Sequence, residues 1–273
     1  MQLSDAARTL KPWSMSKAAL ARNCPFSFQL KYLKRIREIS PPRSPGSRIG
    51  KAVHRMLESF LQGIPEGALQ QTLLSISMRE KLTSVETEEA MSYLHNIRMF
   101  TEKVQAYKQK HSISEEFIEH KFSFTDDLQA APYNDKSELF KGIWDLAFKT
   151  PDNYVIIIDH KSGEKLDLPQ VQEKYGHQHK LYAVGAMTKF PDLSGVQMAF
   201  NFIQKDHIVW LPMISRVTIE NDLVPWFVSY LTGSAEQAQT DRAIKSWLCS
   251  FCGYMPACPL NMQHPVTKGE DQS

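Results

Sequence analysis

Tyr154-Val155-Ile156-Ile157-Ile158-Asp159-His160-Lys161 is an apolar run rich in β-branched residues that ends in an acid, an imidazole and an ammonium. Such a run predicts a buried strand. Side chains alternate along a strand, so Asp159 and Lys161 project from one face at its end. In isolation an Asp-x-Lys is most often an exposed strand end carrying a surface ion pair. Here Gly142-Ile143-Trp144-Asp145 places a second acid within the preceding predicted strand, residues 139–148. If the two strands pair, two carboxylates and one ammonium converge. Two carboxylates with open positions suit Mg²⁺ or Mn²⁺, which lower the pKa of water and neutralise charge on phosphoryl oxygens. Lysine, a compact point charge, can orient that water or hold the phosphate.

Working outward, residues 117–124, 196–204 and 207–214 also read as strands, and 169–188 as a helix. On that helix Gln178 and Tyr182 are four apart and share a face, with Tyr175 close to the same stripe. An amide and a phenol there can bind phosphates or bases; the competing reading, packing on an amphipathic helix, is strongest for Tyr175. Residues 219–245 read as mainly helical. Before the strands, residues 14–33 read as two short helices, with Ser14 or Ser16 as a cap and Pro25 at the first position of the second. Residues 40–46 read as a loop and 48–61 as a helix with Ile49, Val53, Met56, Leu57, Phe60 and Leu61 at helical spacing. Residues 66–110 read as mostly helical with no catalytic signal. On the 48–61 helix His54 follows Gly50 by one turn. A lone helical histidine is more often structural, but a nitrogen ligand beside two carboxylates favours Mn²⁺.

The expected architecture is an α/β core with a central mixed sheet flanked by helices. Its expected parts are an N-terminal helical region, 1–114; the core, 115–218; a C-terminal helix and cysteine segment, 219–262; and a disordered polar tail, 263–273.

Four cysteines are distributed unevenly: Cys24 near the start, then Cys249, Cys252 and Cys258 near the end. A C-x2-C-x5-C triplet plus one distant thiolate can hold one metal centre, zinc or iron–sulfur, and would clip the two ends of the chain together. Two disulfides are the bland alternative and leave the tight triplet unexplained. No apolar run reaches membrane-spanning length and no signal-peptide core is present, so a cytoplasmic location is expected, where thiols favour metal over disulfide. The net charge of +2 says little about partners. Eleven basic residues and one acid between Lys11 and Arg55, interleaved with Trp13, Phe26, Phe28 and Tyr32, suit a nucleic-acid strand, although the aromatics read better as core. Gly46-Ser-Arg-Ile-Gly50-Lys51-Ala52 fails as a phosphate-binding loop, because the glycines are too close and Ala52 stands where Ser or Thr must hold Mg²⁺.

Taken together, Gly50-x3-His54, Gly142-x2-Asp145, Asp159-x-Lys161, Gln178-x3-Tyr182 and the split cysteines, Cys24 and Cys249-x2-Cys252-x5-Cys258, resemble the PD-(D/E)XK nuclease superfamily. The branch they look most like is the RecB-like, AddB-type exonucleases that carry an iron–sulfur staple. The resemblance runs from Trp13 to Cys258. It implies a restriction-endonuclease-like core and a [4Fe–4S] cluster rather than zinc. It also implies metal ligation by His54, Asp145, Asp159 and the carbonyl of His160, catalysis by Asp145, Asp159 and Lys161, and a DNA contact through Gln178 and Tyr182. Glu119, on the strand before, is a further candidate to face the site. The implied activity is a Mg²⁺- or Mn²⁺-dependent DNA exonuclease acting from single-stranded ends in recombination, repair or CRISPR-type processing. The chain has no helicase motor, so unwinding would come from a helicase or recombination partner or from frayed ends, and a closed oligomeric ring would help it stay on DNA. The competing reading is a catalytically idle nuclease fold that scaffolds DNA.

Overall fold

The protein is described here by a computed structural model. It describes residues 3–38, 45–65, 68–113, 115–246, 249–250 and 252–262. The chain forms two compact units, one over Pro45–Val228 and one built from Leu3–Ser44 with Ser229–Ser273.

The first unit is organised by a mixed sheet of β1 (Glu115–Phe124), β2 (Phe140–Lys149), β3 (Tyr154–Lys161), β4 (Gly195–Phe202) and β5 (His207–Trp210), in that order, with the short β6 (Ile214–Ser215) pairing β4. The predicted strand 207–214 is thus two pieces. β3 and β4 run parallel and the other pairs are antiparallel. A parallel pair needs a crossover, supplied here by α8 (Leu168–Lys189). Its start is fixed by a reciprocal capping box between Asp167 and Gln170, followed by Pro169.

On one face of the sheet lie α4 (Pro45–Leu61), α5 (Leu69–Glu80), α6 (Ser84–Met91) and α7 (Leu94–Lys110). Val53, Met56, Leu57, Ile97 and Phe100 from these helices share one core with Leu146, Phe148, Ile156 and Ile158 from the strands. The region that carried no catalytic signal in the sequence therefore supplies Leu73, Ile76, Tyr93, Ile97, Phe100 and Val104 to the core beneath the sheet. α8 packs on the other face, and the ring of Phe122 is the spacer. A Cβ at Gly142 would lie 2.5 Å from Phe122 Cζ, and a Cβ at Gly185 of α8 would also collide with that ring. Glycine at both positions makes room for an aromatic between sheet and helix.

The second unit contains α1 (Asp5–Thr9), α2 (Met15–Asn23), α3 (Pro25–Phe28) and, near the C-terminus, α11 (Pro259–Met262); α10 (Val224–Ala238) runs from the first unit into it. Ser14 caps α2 and Pro25 opens α3. From 239 to 246 the chain is not helical, so the helix stops short of the expected end near 245. The two chain ends meet through direct bonds: Phe26 N donates to Arg242 O at 3.1 Å, Gln29 Nε2 to Thr240 O at 2.8 Å and Tyr254 Oη to Ile36 O at 2.9 Å. Trp13 and Phe28 are fully buried, so these aromatics are core. The expected loop at 40–46 lies mostly outside the described residues, as does the tail expected from 263. Among the described residues no helix is long and apolar enough to cross a membrane.

Candidate active site

Asp159 and Lys161 emerge together at the end of β3, with Lys161 Nζ 2.6 Å from Asp159 Oδ2. Gln178 of α8 joins them: its Nε2 donates to Asp159 Oδ1, and its Oε1 lies 3.4 Å from Lys161 Nζ. On β2 the regular pairing with β3 ends at Leu146 and Ile158, and Asp145 then uses its side chain in place of the ladder. Its Oδ2 accepts from the His160 backbone N–H at 2.7 Å. His54, reaching from α4, places Nδ1 3.6 Å from the same oxygen.

A turn of β1 brings in Glu119. Its φ of 48° is left-handed, unusual for a non-glycine residue inside a strand. One donor atom each from His54, Glu119 and Asp145 lies within 4.8 Å of the others. These are the nitrogen and oxygen donors a divalent ion takes. Asp159, held by Lys161 and Gln178, lines the same cavity of about 450 Å³ with Asp145, His54, Lys174 and Tyr175.

The electrostatics describe a site under negative strain. Burial pushes the Asp145 carboxyl well above the usual carboxylate range, and the Asp159 charge pushes it further, against the His160 N–H. Burial also raises Glu119, helped by the charge of Glu58. Burial alone would lower the Lys161 ammonium, but the adjoining Asp159 charge outweighs it and the pKa lies above its ordinary value. Burial lowers His54, favouring the neutral imidazole that a metal requires. A divalent cation would relieve the crowding of acids, so the donor set fits one.

Neighbouring side chains serve the site in different ways. The His160 side chain is buried on the helix side of the sheet, edge-on to Phe100, with Nδ1 3.2 Å from Asn201 Nδ2. It is held away from the acids, because strand alternation sends it to the opposite face from Asp159 and Lys161. Gln178 and Tyr182, expected to hold DNA, spend their polar atoms inside the protein: Gln178 on Asp159 and Lys161, and Tyr182 Oη on the Ile143 carbonyl at 2.8 Å. Gly50 faces the side chain of Ser162 just after β3: a Cβ there would lie 2.8 Å from Ser162 Oγ, a hydroxyl that can rotate away. Tyr93 Oη secures the same segment by donating to Ser162 O at 3.1 Å. Asn201 and Tyr93 went unnoticed in the sequence; a buried asparagine in the apolar run Met198-Ala-Phe-Asn201-Phe was the available signal.

Much of the basic N-terminal stretch is engaged internally. Lys17 Nζ donates to Leu10 O and Pro12 O, Arg22 lies over the Tyr230 ring, and Lys31 pairs with Glu38, Arg48 with Glu86 and Arg55 with Glu80.

A family model described as the PD-(D/E)XK nuclease superfamily matches residues 12–259. The chain belongs to the PD-(D/E)XK nuclease superfamily. Members of this superfamily are divalent-metal nucleases acting on DNA. No curated protein matches the chain. A solved structure named "Crystal structure of SSO0001" is similar at 15% identity, covering 77% of this chain and 94% of that one, with a TM-score of 0.37.

The cysteines lie in the second unit. All four are free thiols. Cys24, Cys249 and Cys252 line one cavity of about 160 Å³ with Ser27 and Tyr254, and Cys258 is buried. Among the described residues no three cysteine sulfurs lie within 4.8 Å of one another.

Proposed function

We propose that this nuclease is a Mg²⁺- or Mn²⁺-dependent DNA exonuclease of the RecB-like, AddB-type branch, working from single-stranded ends in recombination, repair or CRISPR-type DNA processing. The observation that carries the reading is the contact of Lys161 with Asp159 in the cavity that Asp145 and His54 also line. His54, Glu119, Asp145, Asp159 and the His160 carbonyl are the groups that would hold the ion. The ion, when bound, would activate water and offset charge on the phosphoryl oxygens. Lys161 supplies a fixed positive charge beside the scissile phosphate and orients the nucleophile. Gln178 fixes the Asp159 carboxylate and the Lys161 ammonium relative to each other. Tyr182 ties α8 to β2 through Ile143, so both act by positioning.

The same reading assigns Cys24, Cys249, Cys252 and Cys258 to a [4Fe–4S] cluster with a structural role. The cluster would reinforce the direct bonds that already join the chain ends. The region boundaries 1–114, 115–218 and 219–262, a cytoplasmic location, a helicase partner and a ring-shaped oligomer belong to this proposal too.

The test is digestion of end-labelled linear DNA beside circular DNA, with Mg²⁺ and with Mn²⁺. Stepwise shortening of the linear substrate alone is expected. Ion-independent binding without cleavage would support the idle scaffold instead. Anaerobically purified protein should be brown and lose colour with Cys258→Ser; colourless protein with stoichiometric zinc would reverse the cluster assignment.

A further inference from the structure

Lys161 is confined from more directions than an ion pair requires. Asp159 Oδ2 lies 2.6 Å from Nζ and Gln178 Oε1 3.4 Å. The face of the Tyr175 ring closes another side, with its centroid 4.4 Å from Nζ. Tyr175 is itself backed by Phe200 of β4, the two rings 4.8 Å apart and inclined by 25°. Phe200 is fully buried and its centroid lies 5.3 Å from the same ammonium. Tyr175 stands three residues before Gln178 on α8, so one helix delivers both the amide and the ring. It lines the cavity together with Lys161 and Lys174.

We infer that Tyr175 is a positioning residue for Lys161: its ring face, braced by Phe200, holds the ammonium in the cavity where the scissile phosphate would lie. The inference rests on the nuclease reading above. The physical case turns on how a ring and a carboxylate differ as partners. An ammonium has three N–H donors. Asp159 and Gln178 lie within reach of two of them. A ring attracts the cation through its quadrupole without accepting one defined proton, so the third donor remains for phosphate or water. Without the ring, one wall around the flexible lysine stem is gone and the ammonium samples more of the cavity. The hydroxyl of Tyr175 plays no part in this, so phenylalanine should serve as well.

Two readouts on the full-length protein test the inference. The first is the NMR signal of the Lys161 ammonium, which a ring face shifts by its ring current whether or not the protein cuts DNA. The second is the kinetics of DNA cleavage with Mn²⁺. Tyr175→Leu should reduce the ring-current shift to the part that Phe200 contributes and lower kcat roughly three- to thirtyfold, with KM within about twofold. Tyr175→Phe should keep both the shift and kcat. If KM rises while kcat holds, Tyr175 stacks substrate and the inference fails. It also fails if Tyr175→Phe is as impaired as Tyr175→Leu, or if the Lys161 signal is unmoved in Tyr175→Leu. Should Tyr175→Leu melt, the signal in Tyr175→Met decides in its place. A wild type that shows the shift and cuts no DNA would overturn the nuclease reading, and with it a catalytic purpose for the contact, while leaving the contact itself established.

Discussion

Glu119 and Asp145 stand opposite each other across β1 and β2, at the one position within that ladder where pairing lapses: Ile118 pairs Leu146, His120 pairs Trp144, and the two acids between them do not pair. The faces of both strands exchange there. Gly142 and Trp144 pack toward α8, against Phe122 and Phe190, whereas Leu146 and Phe148 pack among the helices on the opposite face. On β1, Ile118 packs against the helix core, while Phe122, on the far side of Glu119, packs against α8. Because both strands turn at opposed positions, the register is unchanged on either side. The left-handed backbone of Glu119 belongs to that turn, which brings a second carboxylate toward Asp145 and His54.

Glu119→Gly should therefore separate stability from function. Glycine accepts a φ of 48° without the cost other residues bear, and the change also removes a carboxylate that burial and Glu58 disfavour. We expect stability to rise by about 1 kcal/mol while cleavage falls. Urea denaturation and a digestion assay check both halves; a loss of stability would place the strain elsewhere.

Lys161→Ala should lower cleavage by a factor on the order of 10²–10³, the range for removing one charge-stabilising donor, while DNA is still bound. Asp145→Ala and Asp159→Ala should be at least as severe. Single-turnover rates and DNA affinity are the measurements, and a wild-type rate from any of the three would remove that residue from the chemistry.

Gly142→Ala should destabilise by about 1–3 kcal/mol, because its Cβ would enter the Phe122 ring. Phe122→Leu alone should also destabilise, yet the double variant should recover part of the loss from Gly142→Ala. A double-mutant cycle in urea checks the coupling, and strict additivity would mean that Phe122 is not the obstacle.

His179 of α8 gives the fold an acid limit. Burial lowers its pKa to about 4, so the unfolded chain binds the extra proton first as pH falls. Stability contributed by the neutral ring is complete above the unfolded value of about 6.5 and is lost progressively down to about 4, about 3 kcal/mol in all. Chemical denaturation between pH 7 and 4 should show this slope, and His179→Phe should flatten it. An unchanged slope would assign it to other groups.

The sheet strands, α8 and the Asp159–Lys161 pair were legible because alternation and apolar runs report local geometry directly. The exchange of faces at Glu119 and Asp145 was not, since a turn that preserves register leaves no mark on strand periodicity. Gln178 and Tyr182 were found by spacing, because their helix face is visible in sequence, whereas their partners, Asp159, Lys161 and Ile143, are fixed only by packing. Gly50 was likewise located, but the side chain it faces, Ser162, is more than a hundred residues away. Of the eleven basic residues near the N-terminus, Lys17, Arg22, Lys31, Arg48 and Arg55 have partners within the protein, which a count of charge cannot foresee. Glu80 and Glu86, which engage Arg55 and Arg48, lie in the helices that showed no catalytic signal.

A divalent ion is expected where β1, β2, β3 and α4 meet. The direct measurement is Mn²⁺ titration of the intact protein followed by electron paramagnetic resonance, in wild type, Asp145→Asn and Glu119→Gln. Wild type should take up Mn²⁺ with a saturable signal, and both variants should bind it at least about tenfold more weakly. Equal uptake by all three would contradict the site as described.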